Sequence, residues 1–217
     1  MKHIVTDSYG LTDQGRKRVE NQDQFFIARL DKTVTVEKMS TFLGTSPPFE
    51  STCGRLYLVA DGMGGHQGGK EASAIAVETI LQYAATMMPW FFSLNHHDSD
   101  VRDELKGLLK RCEENIVEAA QNEPRLRNMG TTVTMAYTCW PKLYVVHVGD
   151  SRCYLSRAGR LERVTHDHTM AEKMVARGAL EREAAEETRW SNVLCNVVGG
   201  RDTSEQASPE VYEAKLV

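Results

Sequence analysis

The chain has 217 residues, 41% of them hydrophobic and 26% charged, with 26 Lys and Arg against 30 Asp and Glu for a net charge of −4. At ~150 residues per domain this suits one large domain or two small ones, and it excludes a disordered chain, a collagen and a coiled coil. The slightly acidic balance argues against a nucleic-acid binder, and no apolar run reaches the ~18 residues that would span a bilayer. Met1 to Asp7 holds one lysine and no apolar core, which predicts no signal peptide.

In chain order, Thr33 to Val36 suggests a strand, and Gly44 to Pro48 suggests a loop. Leu56 to Ala60 is a short apolar run that predicts a buried strand. After a glycine-rich turn from Gly62 to Gly69, the spacing predicts a helix over Lys70 to Met88, ended by Pro89. Asp98, Ser99 and Asp100 offer N-caps for a second helix, with an apolar stripe running from Val101 to Ala120. The pattern then turns to β. Thr131 to Tyr137 and Leu143 to Val148 predict strands, and Cys153 to Arg157 with Arg160 to Thr165 flank Ala158-Gly159 as a hairpin. Thr169 to Thr188 is helical with a break at Gly178. Two successive helices between groups of strands predict an α+β fold with antiparallel sheets and segregated helices. The five cysteines, Cys53, Cys112, Cys139, Cys153 and Cys195, are widely spaced with no C-x-x-C pair. They predict reduced thiols in a cytoplasmic protein.

The strongest local feature is Asp61-Gly62-Met63-Gly64-Gly65-His66-Gln67-Gly68-Gly69, a carboxylate at a strand end followed by a run of glycines. Gly64 to Lys70 matches most of a phosphate-binding P-loop, but Glu71 stands where a hydroxyl must hold Mg²⁺. A dinucleotide fingerprint fails at Gln67. In the third reading Asp61 and the Gly62 carbonyl are oxygen ligands for a hard cation, Mg²⁺ or Mn²⁺.

Asp61 has company. Arg18-Val19-Glu20-Asn21-Gln22-Asp23 lies upstream, and Gly130-Thr131-Thr132, Gly149-Asp150-Ser151-Arg152 and Thr165-His166-Asp167-His168 lie downstream. In this order the motifs resemble the metal-dependent PPM-type (type 2C) Ser/Thr protein phosphatases, especially the bacterial branch. The resemblance implies an α-β-β-α sandwich of two antiparallel sheets flanked by helices. It implies hydrolysis of phosphoserine and phosphothreonine in proteins by a metal-activated water, with two Mn²⁺ or Mg²⁺ ions and a third, weaker one. Arg18 matches the arginine that grips the substrate phosphate. Asp23 matches an acid near the first metal, Asp61 the bridging carboxylate and Gly62 a carbonyl ligand. Asp150 matches the acid of the third ion, or holds the turn around it. Gly130, Thr131 and Thr132 match a core strand. The partners implied are phosphorylated Ser/Thr proteins and a cognate Ser/Thr kinase in signal transduction, with neither nucleic acid nor membrane, and the chain acting as a monomer.

Two departures shape the expectation. Some family members place a histidine directly after the Asp-Gly pair; here Met63 stands there, leaving His66 and His168 as candidate proton donors. The chain also has no second Asp-Gly and no Asp-Asn, where the family carries further metal-binding aspartates. Residues 1–217 are therefore expected to form a single phosphatase domain lacking its final strands, with 169–198 as a flap-like segment beside the site. The alternatives are a non-catalytic short form that binds phosphoproteins or regulates, and a nucleotide binder built on the Gly64 to Lys70 loop.

Overall fold

A computed structural model describes residues 6–30, 34–40, 54–86, 98–200 and 207–216. The loop expected over Gly44 to Pro48, the helix stop at Pro89 and Cys53 lie outside the described residues. Among the described residues ten strands, β1 (Asp23–Leu30), β2 (Val34–Met39), β3 (Gly54–Met63), β4 (Gly130–Thr131), β5 (Val133–Cys139), β6 (Lys142–Val148), β7 (Tyr154–Arg157), β8 (Arg160–Arg163), β9 (Val198–Gly199) and β10 (Glu210–Lys215), combine with helices α1 (His66–Thr86), α2 (Asp98–Asn122) and α3 (Met170–Ala176). The expected α+β class is what the molecule has: antiparallel sheet with helices gathered against it. Among the described residues the main sheet runs β10-β6-β5-β3-β1-β2, with β4 on β3 and β9 on β4, and β7-β8 form a separate ribbon.

The alternation of the central strands decides which face is covered. Leu56, Leu58 and Ala60 of β3 point one way with Phe26 and Ala28 of β1 and Val133, Met135 and Tyr137 of β5. Against them lie Ala72, Ala76 and Ile80 of α1, and α2 adds Leu105, Leu108, Cys112 and Ile116. Burial of these side chains, at ~1.5–3 kcal/mol for each large one, holds the layers together.

Two boundaries differ from the sequence reading. β1 was not expected as a strand. Its Phe25-Phe26-Ile27-Ala28 run is short, and Gln24 and Arg29 blur the alternation, yet it pairs with β3 along its whole length. α1 begins at His66 rather than Lys70, so Gly68 and Gly69 lie inside its first turns. The reason is close approach. A Cβ on Gly69 would lie 2.8 Å from the Gly62 carbonyl carbon, and one on Gly62 would lie 1.9 Å from the Gly69 oxygen. Lys70, the cation a P-loop would aim at phosphate, instead reaches Glu20 Oε1 at 2.5 Å.

The β7-β8 hairpin turns through Ala158 and Gly159, both at positive φ, the backbone that suits the strand twist. α3 is capped by Thr169, whose Oγ1 accepts from the Glu172 N–H, and the chain reverses at Gly178 before a 3₁₀ turn over Arg182–Glu187. Among the described residues no helix is long and apolar enough to cross a membrane.

Candidate active site

Sheet register creates the site. β1 starts where β3 ends, so Asp23 stands directly opposite Asp61 on the neighbouring strand. Like charges opposite each other in an antiparallel pair repel. The Asp61 carboxyl is accordingly pushed up to about 6, first by burial, then by the charge of Asp23 and a hydrogen bond with it; Arg18 opposes the shift, and Asp150 adds to it. The Arg18 guanidinium lies 4.0 Å from Asp61 Oδ1. Its Nη1 also donates to Gln22 Oε1 at 3.3 Å. Both members of the Arg18–Asp61 pair are about half exposed, so the pair contributes little to stability and mainly sets position. A cleft of about 360 Å³ opens here, walled by the Asp13 to Arg18 loop together with Asp23 and Asp61.

The main chain of Asp61 is held from β4 and the residue after it. Its N–H donates to Thr132 Oγ1 at 3.0 Å, and its carbonyl accepts from the Thr132 N–H and from Thr131 Oγ1, both at 2.9 Å. The Gly-Thr-Thr motif thus fixes where the carboxylate stands. Gln22, assigned no role from sequence, is the other fastener. Its carbonyl accepts from the Gly62 N–H and the buried Ser73 hydroxyl, and its side-chain amide donates to the Gly65 carbonyl. Its position between Asn21 and Asp23 in the quoted motif was the available signal.

Asp150 follows Gly149 (φ 112), where a Cβ would strike Thr132. Burial, and then the charge of Asp167, push the Asp150 carboxyl up, while Arg152 pulls it down. Ser151 ties the turn to the Asp61 clamp, with its Oγ 2.8 Å from Thr132 Oγ1 and its carbonyl accepting from Thr134 Oγ1. Arg152 forks onto Asp167, with Nε 3.1 Å from Oδ1 and Nη2 2.6 Å from Oδ2.

His168 is not among the residues that wall the cleft. Its ring is nearly buried; Nδ1 accepts from the Gly149 N–H at 3.2 Å and lies 2.9 Å from Asn196 Nδ2. That places its proton on Nε2, which points to Glu210 Oε1 at 3.5 Å. His66 opens α1, and its side chain lies outside the described residues.

The donors gathered around Asp61 are all oxygens: two facing carboxylates, and the Gly62 carbonyl that a side chain at position 69 would cover. That chemistry fits a hard divalent cation. Among the described residues no group of three or more His, Cys, Asp or Glu side chains converges into a metal-binding cluster.

The sequence model of the protein phosphatase 2C family matches residues 49–195. The chain belongs to the protein phosphatase 2C family. The Listeria welshimeri Serine/threonine phosphatase stp is 31% identical over 144 residues, 66% of this chain and 55% of that protein. The chain thus spans about half the length of this curated relative. The fold is that of the crystal structure of Serine/threonine phosphatase Stp1 from Staphylococcus aureus, with a TM-score of 0.74 and 23% identity over 95% of this chain and 70% of that one. A further structure of the same fold is the catalytic domain of the serine threonine protein phosphatase PstP in complex with 2 manganese ions, with a TM-score of 0.62 and 24% identity over 94% of this chain and 70% of that one.

Proposed function

We propose that the chain serves the hydrolysis of phosphoserine and phosphothreonine in proteins, with residues 1–217 belonging to one phosphatase domain and 169–198 forming a flap beside the site. The observation that carries this reading is the meeting of Asp61, Asp23 and Arg18 in one cleft, with the carboxyl of Asp61 raised to about 6 first by burial and then by the charge of Asp23. Asp61 and Asp23, with the Gly62 carbonyl, would hold Mn²⁺ or Mg²⁺, and Asp150 would hold a further ion. Bound divalent ions lower the pKa of a water and neutralise phosphoryl charge. Arg18 binds the phosphate of the substrate through its planar fork and orients it against Asp61. Thr131 and Thr132 fix the main chain that carries the carboxylate. In this reading the chain acts in the cytoplasm as a monomer, opposite a Ser/Thr kinase. The four described cysteines, all unpaired, suit that reducing compartment.

The test is release of phosphate from a phosphothreonine peptide with Mn²⁺, repeated with chelator. Turnover that stops on chelation is expected; turnover that ignores the chelator would overturn the reading. A second reading, a phosphoprotein-binding form without turnover, draws on the two facing carboxylates, Asp23 and Asp61, which among the described residues belong to no group of three or more metal-ligating side chains. It predicts phosphopeptide binding with no phosphate released in the same tubes.

A further inference from the structure

The loop before Arg18 carries three cations in a row, Arg16, Lys17 and Arg18, all exposed and all walling the cleft that holds Asp61. Arg18 alone is turned onto Asp61 and Gln22. Among the described residues neither Arg16 nor Lys17 has an ion pair. Of the acids flanking the loop, Asp13 Oδ1 accepts from the Gly15 N–H at 2.7 Å and Glu20 holds Lys70, while Asp23 and Asp61 in the same cleft make no ion pair with Arg16 or Lys17. The loop itself is braced. The Gln14 side-chain amide donates to the carbonyls of Arg18 and Val19 at 2.7 and 2.8 Å, and Asn21 Nδ2 donates to Thr12 Oγ1 at 2.8 Å. Two unmatched cations are thus held on a fixed turn beside the residue that would take the phosphate.

We propose that Arg16 and Lys17 form a second anion subsite, which selects phosphorylated segments that carry acidic residues next to the phosphorylated one. The inference rests on the phosphatase reading above. Neighbouring residues lie about 3.8 Å apart in any chain. A cation one or two residues from Arg18 therefore matches an anion one or two residues from the bound phosphate. Exposed pairs are weak, and two together give a selectivity of about fivefold at low salt that screening removes.

The experiment uses the full chain with Mn²⁺ and two phosphothreonine peptides, one flanked by glutamates and one by alanines. Both dissociation constants and both kcat/KM values are measured. The glutamate peptide is expected to lead by about fivefold at low salt and to lose its lead in R16A/K17A. In R16E/K17E a lysine-flanked peptide is expected to lead instead. Equal values for the first two peptides in the parent chain, or a lead that survives R16A/K17A, would overturn the subsite. An unphosphorylated glutamate peptide that binds as tightly as its phosphorylated form would overturn it too, since the subsite is an accessory to Arg18. If neither peptide is hydrolysed, the catalytic reading falls by itself, and the ratio of dissociation constants still decides the subsite.

Discussion

Two neighbouring sites at one end of the β3-β5-β6 ladder treat charge in opposite ways. At Asp61, two carboxylates face each other across the register with one half-exposed guanidinium 4.0 Å away. Around His147 every polar atom of the ring has a partner: Nδ1 lies 2.8 Å from Thr134 Oγ1 and Nε2 lies 2.9 Å from the His166 carbonyl. Beside it Asp167 is held by Arg152 and Arg163. A buried polar group with all its partners makes structure, whereas two facing carboxylates that share one guanidinium keep an excess of negative charge open to a cation from outside. Under the proposed function the contrast makes Asp61 the working group and the His147 network its frame.

The largest effect that would break this contrast is on the chemistry. Asp61→Ala is expected to lower phosphate release at least about 1000-fold, about 4 kcal/mol of barrier. A rate within tenfold of the parent would place the working group elsewhere.

The framework side is sharpened by acid. Burial, and then the charge of His168, hold the His147 imidazole down to about 4, against an ordinary value of 6.5. Its folded-state pKa lies below the unfolded one, so the unfolded chain takes up the proton first. The stability this group confers is complete above pH 6.5 and is lost as pH falls toward 4, by about 3 kcal/mol at most. Urea unfolding at pH 7.5 and pH 4 should show that His147→Gln, whose amide does not titrate, loses less over the interval than the parent. Equal losses would remove His147 from the frame.

The smallest effect is on the stability contributed at Asp61. Here the folded pKa lies above the unfolded one, so ionisation costs stability as pH rises from 3.8 to about 6 and the cost persists above. Asp61→Asn removes that charge. At pH 7.5 without divalent ions it should raise stability by about 0.5–1 kcal/mol, a small figure because the carboxylate is partly open to water. The gain should vanish below pH 4, and Mn²⁺ should no longer raise the melting temperature of the variant. A loss of stability at pH 7.5 would show that Asp61 is a structural group after all.

Much of this was legible in the sequence because local chemistry carried it. The helical stripe of Val101 to Ala120, the apolar run Leu56 to Ala60 and the Ala158-Gly159 turn depend on neighbours in the chain, and all three are present. The grouping of Arg18, Asp23 and Asp61 could be read only through the resemblance, since cross-strand register joins residues far apart. The strand Asp23–Leu30 escaped because its polarity follows the site at one end and the core at the other. The partnership of Thr134 with His147 had no local signal, and the only one for the fastening role of Gln22 was its place in the motif beside Asp23. A threonine in a strand and a glutamine in a loop look the same whether or not they are fasteners. The early start of α1 followed from Gly62 lying on Gly69, a contact no helix propensity describes.

The hydrogen bond from Asp61 to Thr132 spans 71 residues of chain. Closing so long a loop costs entropy before any contact repays it, and pairings of this kind come late in folding. The hold on the Asp61 main chain is therefore expected among the last contacts the folding chain acquires. In pulse-labelled refolding, the Asp61 amide should gain protection with the final cooperative phase, after the amides inside α1 and α2. A newly made chain would then have its helices before it has a positioned Asp61, and the Asp23–Asp61–Arg18 cleft would be complete only once β4 and β5 have docked.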